Sequence, residues 1–145
     1  MIKSKFTIIT FYQFKKIEDI INIKNELVHF CKFNKIKGTI ILAEEGINGT
    51  IAGLFESIKK FESHLLSLGF ANYNPKYSYS KFMPFFRLKV RNKKEIVTLR
   101  SKDVDPENIT GKKIRPKDWN NLILDKETIL IDVRNNFEVE MGTFK

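Results

Sequence analysis

The chain has 145 residues, 42% of them hydrophobic, with 26 Lys/Arg against 17 Asp/Glu for a formal net charge of +9. That apolar content is enough to bury one core, and the length suits one domain or one domain plus a fragment; no apolar run approaches the roughly 18 residues of a membrane span. The single cysteine, Cys31, rules out a disulfide framework and points to a reducing compartment, so a cytoplasmic location is expected.

Residues 6–14 are β-branched and aromatic, too short a run for an independent helix, and predict a buried strand. Lys3 and Lys5 ahead of it weakly imitate a signal peptide, but the Thr, Tyr and Gln within the run and the lack of a small-residue cleavage site argue against one. Ile20, Ile21, Lys24, Leu27, Val28 and Cys31 recur at helical spacing, predicting an amphipathic helix over 18–34 that turns Cys31 inward. Residues 37–43 predict a second strand, Asn48-Gly49 supplies turn chemistry, and Thr50-Ile51-Ala52 returns as a third strand. Leu54, Ile58, Phe61, Leu65 and Leu68 then repeat at intervals of four and three, with Gly69 placed to end that helix in a left-handed conformation.

Residues 71–81 predict a polar, Tyr-rich loop, after which Phe86, Leu88 and Val90 alternate with Arg87, Lys89 and Arg91 in a strand with one face in the core and one in water. Asn92 to Glu95 turn this strand back toward 96–99. Strand, helix, strand, strand, helix, strand is the ferredoxin-like order, an α+β class in which four strands back two helices and leave the other sheet face available. Residues 101–116 hold Pro106, Gly111 and Pro116 without periodicity and predict a linker. Beyond it, Pro116 can start a helix with Trp119, Leu122 and Ile123 as its apolar stripe, followed by a strand over 128–133.

Charge is uneven: residues 116–145 carry four Lys/Arg and six Asp/Glu, so residues 1–115 carry 22 against 11. A domain this basic attracts polyanions, nucleic acid foremost, although abundant Lys, Ile and Asn also fit the codon usage of an AT-rich genome. Arg87, Lys89 and Arg91 lie two residues, or about 6.6 to 6.8 Å, apart on one strand face. That spacing suits a phosphate track and equally a solvated strand face. Tyr73, Tyr77, Tyr79 and Phe82, interleaved with Lys76 and Lys81, suit stacking on unpaired bases or a loop folded over its own sheet. The candidate RNA contacts are therefore Arg87, Lys89, Arg91, Lys76, Lys81 and Tyr79.

No other chemistry stands out. Glu44 and Glu45 read as turn residues, His29 and His64 lack metal-ligand companions, and the dispersed glycines form neither a Walker loop nor a dinucleotide fingerprint. No catalytic residue, metal or cofactor is assigned.

The segment Leu130-Ile131-Asp132-Val133-Arg134-Asn135-Asn136-Phe137-Glu138-Val139-Glu140-Met141-Gly142 resembles the opening of a rhodanese domain, with Asp132 and Arg134 as its structural motif. Together with the hairpin Leu42-Ala43-Glu44-Glu45-Gly46-Ile47-Asn48-Gly49-Thr50 and the segment Lys81-Phe82-Met83-Pro84-Phe85-Phe86, it makes the chain resemble the rhodanese-domain-containing tRNA wobble-uridine hydroxylases. The resemblance implies an acylphosphatase-like basic domain over 1–100, a linker over 101–116 and the incomplete start of a rhodanese domain over 117–145. It also implies tRNA as partner, molecular oxygen as co-substrate of the full-length oxidoreductase, 5-hydroxyuridine as product, and a catalytic cysteine beyond this chain, which alone is expected to be inactive. The loop Gln13-Phe14-Lys15-Lys16 lacks the Gly-rich, Arg-bearing phosphate cradle of an acylphosphatase, so phosphatase activity is not expected. Rival readings are rhodanese-type sulfur transfer and a non-catalytic interaction domain.

Overall fold

In the computed structural model, which describes residues 5–97 and 111–144, the run Phe6–Phe14 forms the first strand, β1. It is followed by α1 (Ile20–Phe33), β2 (Lys37–Ala43), β3 (Gly46–Gly53), α2 (Phe55–Ser67), β4 (Lys76–Ser80) and β5 (Leu88–Asn92). These make one five-stranded sheet in the order β4-β1-β3-β2-β5. β3 lies antiparallel between β1 and β2, β4 is antiparallel to β1, and β5 is parallel to β2. The first four strands give the ferredoxin-like arrangement; β5 extends it by one.

Two expectations change here. Lys76–Ser80 lies in the segment expected to be a loop, yet it is a strand and takes the fourth position beside β1. Its sequence, Lys-Tyr-Ser-Tyr-Ser, alternates Tyr with Ser but holds no aliphatic residue, and as an edge strand it stays largely in water, so it lacks the apolar run that marks a buried strand. The basic run expected in that position is instead β5, at the opposite edge, with Leu88 and Val90 packed against the core. Residues 96 and 97 form no strand, and 98 and 99 lie outside the described residues.

The helices follow from their caps and apolar faces. Asp19 caps α1 by accepting the Asn22 amide at 3.0 Å, and Leu27 and Cys31 are its buried residues, while Ile21 of the expected stripe is exposed. α2 buries Ile58, Phe61, Glu62 and Leu65, and Gly69 ends it at φ +84°. The core closes on Phe11, whose ring lies 5.6 Å from that of Phe61 and 6.2 Å from that of Tyr73. Burying a side chain of this kind contributes about 1.5 to 3 kcal/mol.

The hairpin turns earlier than Asn48-Gly49 suggests. Glu44 and Glu45 make the turn, and Gly46 follows at φ +151°, where a Cβ would stand 2.1 Å from the Gln13 carbonyl oxygen. Asn48 and Gly49 are inside β3. Gly49 is there because a side chain would meet the Phe11 ring at 2.8 Å.

Backbone contacts divide the chain into Met1–Ile109 and Thr110–Lys145. In the second unit a 3₁₀ turn at Pro116–Asp118 leads into α3 (Trp119–Ile123), and α4 (Asn136–Glu140) starts from a capping box of Asn135 and Glu138. Residues 128–133, expected as a strand, form no ladder among the described residues, and Ile131 and Val133 stay exposed. Their apolar run has no neighbouring strand here against which to gain burial and hydrogen bonds. Most of the expected linker, 101–110, lies outside the described residues. Among the described residues, no helix is long and apolar enough to cross a membrane.

Candidate nucleic-acid interface

Strand register sorts the sheet into two faces. Ile9, Phe11 and their neighbours Ile51, Ile40, Leu88 and Val90 face the helices and build the core. On the other face one row crosses the whole sheet: Lys76, Thr10, Thr50, Thr39 and Lys89 are paired in succession. Thr10 and Thr50 share a hydroxyl hydrogen bond of 3.1 Å. The next row is Tyr12, Asn48, Ile41 and Arg91, and on the other side run Ser78, Ile8, Ala52 and Lys37.

Of the sequence-predicted contacts, Lys89 and Arg91 stand on this face of β5. Arg87 precedes the strand, is exposed, and its carbonyl accepts the Gly38 amide at 3.1 Å. Lys76 shares the Lys89 row but sits at the far edge, four strand spacings or about 19 Å away. Lys81 is exposed just after β4. Tyr79 pairs with buried Thr7, on the helix side of the sheet, so the fold does not bring it to the face of Lys89 and Arg91. None of these cations pairs with a carboxylate among the described residues.

Phe86 corrects the sequence reading most sharply. Alternation places it in the core, but the chain joins the sheet only at Leu88, and Phe86 is 99% exposed. With Pro84, Phe85, Arg87, Lys89, Gly38 and Thr39 it lines a depression of about 470 Å³ beside β5. Thr10, Thr39, Thr50, Tyr12 and Lys37 were also not singled out from sequence. Each sits on the outward phase of its strand, but only the register joins them to the cations.

The Tyr-rich segment is tied down at one buried carboxylate. Glu62, 9% exposed, accepts from the Tyr77 hydroxyl and, at 3.5 Å, from that of Tyr73, and meets Lys59 Nζ at 2.9 Å. Burial, and then Glu62, pushes the Tyr73 phenol up to about 12; the hydrogen bond to Glu62 raises that of Tyr77. Tyr73 and Tyr77 therefore belong to the fold of the domain, and Tyr79 alone of the three points largely into solvent.

Elsewhere the candidate reactive groups are buried or packed. Cys31 is fully buried, and burial pushes its thiol up to about 12. His64 stacks on Phe30 at 4.3 Å, and no metal-binding group of His, Cys, Asp and Glu exists among the described residues. In the loop after β1, the Lys15 and Ile17 amides donate to the Glu45 and Glu44 carbonyls at 2.9 Å, and Lys15 Nζ donates to the Gly69 carbonyl at 2.6 Å. The Lys15 and Ile17 amides and the Lys15 ammonium are thus used internally. In the second unit, Arg134 NH2 donates to Asp132 at 2.6 Å and to the Gly142 carbonyl at 2.8 Å, and Thr143 donates to Asp132 at 2.9 Å.

Comparison with known proteins places these observations. The family model described as UPF0176 acylphosphatase like domain matches residues 6–96. The chain is 44% identical over 143 residues to a tRNA uridine(34) hydroxylase of Acaryochloris marina (strain MBIC 11017), covering 98% of this chain and 46% of that protein. It is 46% identical over 139 residues to the protein of the same name from Gluconobacter oxydans (strain 621H), covering 95% and 44% respectively. The chain thus spans just under half the length of the curated relatives it matches. Among solved structures, an acylphosphatase from Coxiella burnetii is similar at a TM-score of 0.40 and 12% identity, over 61% of this chain and 93% of that one.

Proposed function

The chain belongs to the UPF0176 family through its acylphosphatase-like domain, and from that premise we propose that it is the RNA-engaging N-terminal part of a tRNA hydroxylase. The complete enzyme places a hydroxyl on carbon 5 of the wobble uridine, using molecular oxygen, in the cytoplasm. Residues 1–100 engage the tRNA, 101–116 link, and 117–145 begin a rhodanese domain held at its start by Asp132 and Arg134. The chemistry belongs to the part of the relatives that this chain does not span; within the chain, the only cysteine is buried and its thiol is not ionised at neutral pH.

The observation that carries this reading is the sheet face that bears no helix among the described residues, with cations at both edges of one row, Lys76 and Lys89, and Arg91 in the next. Phosphate contacts from these residues, Arg87 and Lys81 position the anticodon arm without reading sequence. Each neutralised phosphate releases counterions, so affinity falls with salt in proportion to their number. Replacing Arg87, Lys89 and Arg91 together by Gln is expected to weaken tRNA binding and flatten log affinity against log salt by about 0.7 to 0.9 per lost contact. A salt series on the parent and the triple variant tests it; identical slopes place the RNA elsewhere.

A further inference from the structure

We infer that the depression beside β5, walled by Pro84, Phe85 and Phe86, is a seat for one unpaired RNA base. This rests on the RNA-engaging reading above and adds which part of the RNA is held. Phe86 is the most exposed large apolar side chain among the described residues, 99% open to solvent, on a segment that follows Pro84 and leads through Arg87 into the strand that carries Lys89 and Arg91. A Phe on the surface costs solubility and gains nothing for the core, whereas an aromatic ring beside cations is what a nucleotide requires. The base stacks on the ring while the phosphates on either side meet the charges.

The lining supports a nucleotide over other partners. Thr39 and Lys89 belong both to the depression and to the row that crosses the sheet through Thr50 and Thr10 to Lys76. A base seated against Phe86 therefore leaves its backbone beside Lys89, at the start of a hydroxyl-lined path that ends at a second cation. Among the described residues no carboxylate lines the depression, so a cationic or zwitterionic ligand finds no partner among them. A duplex does not fit the chemistry, because its base faces are already stacked; only a loop or an unpaired strand presents a free face. Stacking also makes the seat tolerant of base identity, since every base has a π-face.

Phe86→Ala separates this from the phosphate track, because a residue so exposed can be truncated with little effect on folding. Binding of the chain to a labelled anticodon stem-loop RNA, and to a blunt RNA duplex of equal nucleotide count, is measured by fluorescence anisotropy across a salt series. F86A is expected to lose roughly tenfold in stem-loop affinity with an unchanged salt slope and unchanged duplex binding, and Phe86→Trp to restore it. Phe33→Ala, an exposed aromatic on α1, serves as the control and is expected to bind as the parent does. Stem-loop affinity unaffected by F86A overturns the base seat, and equal losses for stem-loop and duplex overturn its restriction to unpaired RNA. If the salt slope still falls in the R87Q/K89Q/R91Q variant, the RNA-engaging reading survives either result; if neither variant changes binding, both fall.

Discussion

The Tyr77 hydroxyl donates to the Glu62 carboxylate, and this bond fastens the outermost strand of the sheet to the helix that covers it. Tyr77 lies on β4, opposite Ile9 of β1, and Glu62 on α2 is 9% exposed. β4 contributes almost nothing apolar to the core, so its attachment depends on the ladder to β1 and on this carboxylate. Tyr77→Phe keeps the ring and removes the donor, leaving Glu62 with Lys59 and the longer bond from Tyr73. A loss of about 1.5 kcal/mol is expected in urea denaturation, with hydrogen exchange accelerated in β4 before the other strands.

The same cluster sets an alkaline limit. Tyr73 is raised to about 12 by burial and then by Glu62, and Tyr77 is raised by its bond to Glu62. A phenol with a raised value in the folded state contributes stability that is fully present below the ordinary tyrosine value of about 10 and is lost as pH rises through the folded value. The melting temperature is therefore expected to fall between about pH 10 and 12, with part of that fall missing in Tyr77→Phe. Ultraviolet titration of the phenolate, run beside the melting curves, checks that the two changes coincide.

Much of this fold could be read from residues alone, and the parts that could not share a physical cause. β1, α1, β2 and α2 each bury an apolar face, so periodicity identifies them, and Gly69 ends α2 as its position predicts. β4 was invisible because it buries little, and the turn was misplaced because Asn48-Gly49 carries a turn signature for packing reasons of a different kind. The cations of β5 were legible as an alternating strand. Their neighbours Thr39, Thr50 and Thr10 were not, because partnership across strands is fixed by register, and register is set by long-range packing.

Gly46 tests the turn as observed. At φ +151° and with a Cβ position 2.1 Å from the Gln13 carbonyl oxygen, any side chain meets backbone that cannot rotate away. Gly46→Ala is expected to cost at least about 2 kcal/mol, whereas Asn48-Gly49, no longer the turn, leaves its own penalty to the Phe11 contact. Chemical denaturation of the variant measures it, and a cost near zero would return the turn to Asn48-Gly49.

Cys31 is expected to ignore thiol reagents in the native state. Its side chain is fully buried and its thiol is pushed up to about 12, so neither access nor thiolate is available at neutral pH. Modification by a disulfide reagent should appear only with denaturant and follow the unfolding curve. Rapid native labelling would reopen a redox role for this residue.

The Asp132 and Arg134 pair should give the second unit its acid sensitivity. The Arg134 guanidinium and backbone amide, with the Thr143 hydroxyl, hold the Asp132 carboxyl well below the usual carboxylate range. A depressed carboxyl contributes stability that is present above its unfolded value of about 3.9 and is lost as pH falls through the folded value. Trp119, the sole tryptophan, stacks on Phe144 at 5.9 Å, and Phe144 adjoins Thr143, so its fluorescence reports whether this network holds. Emission is expected to stay constant from neutral pH down to about 4 and to shift below it. In Asp132→Asn the shifted emission should already be present at neutral pH, since an amide cannot hold Arg134 in a charged fork. An Asn variant with the parent's emission and the parent's acid profile would mean that the Trp119 stack is maintained without this pair.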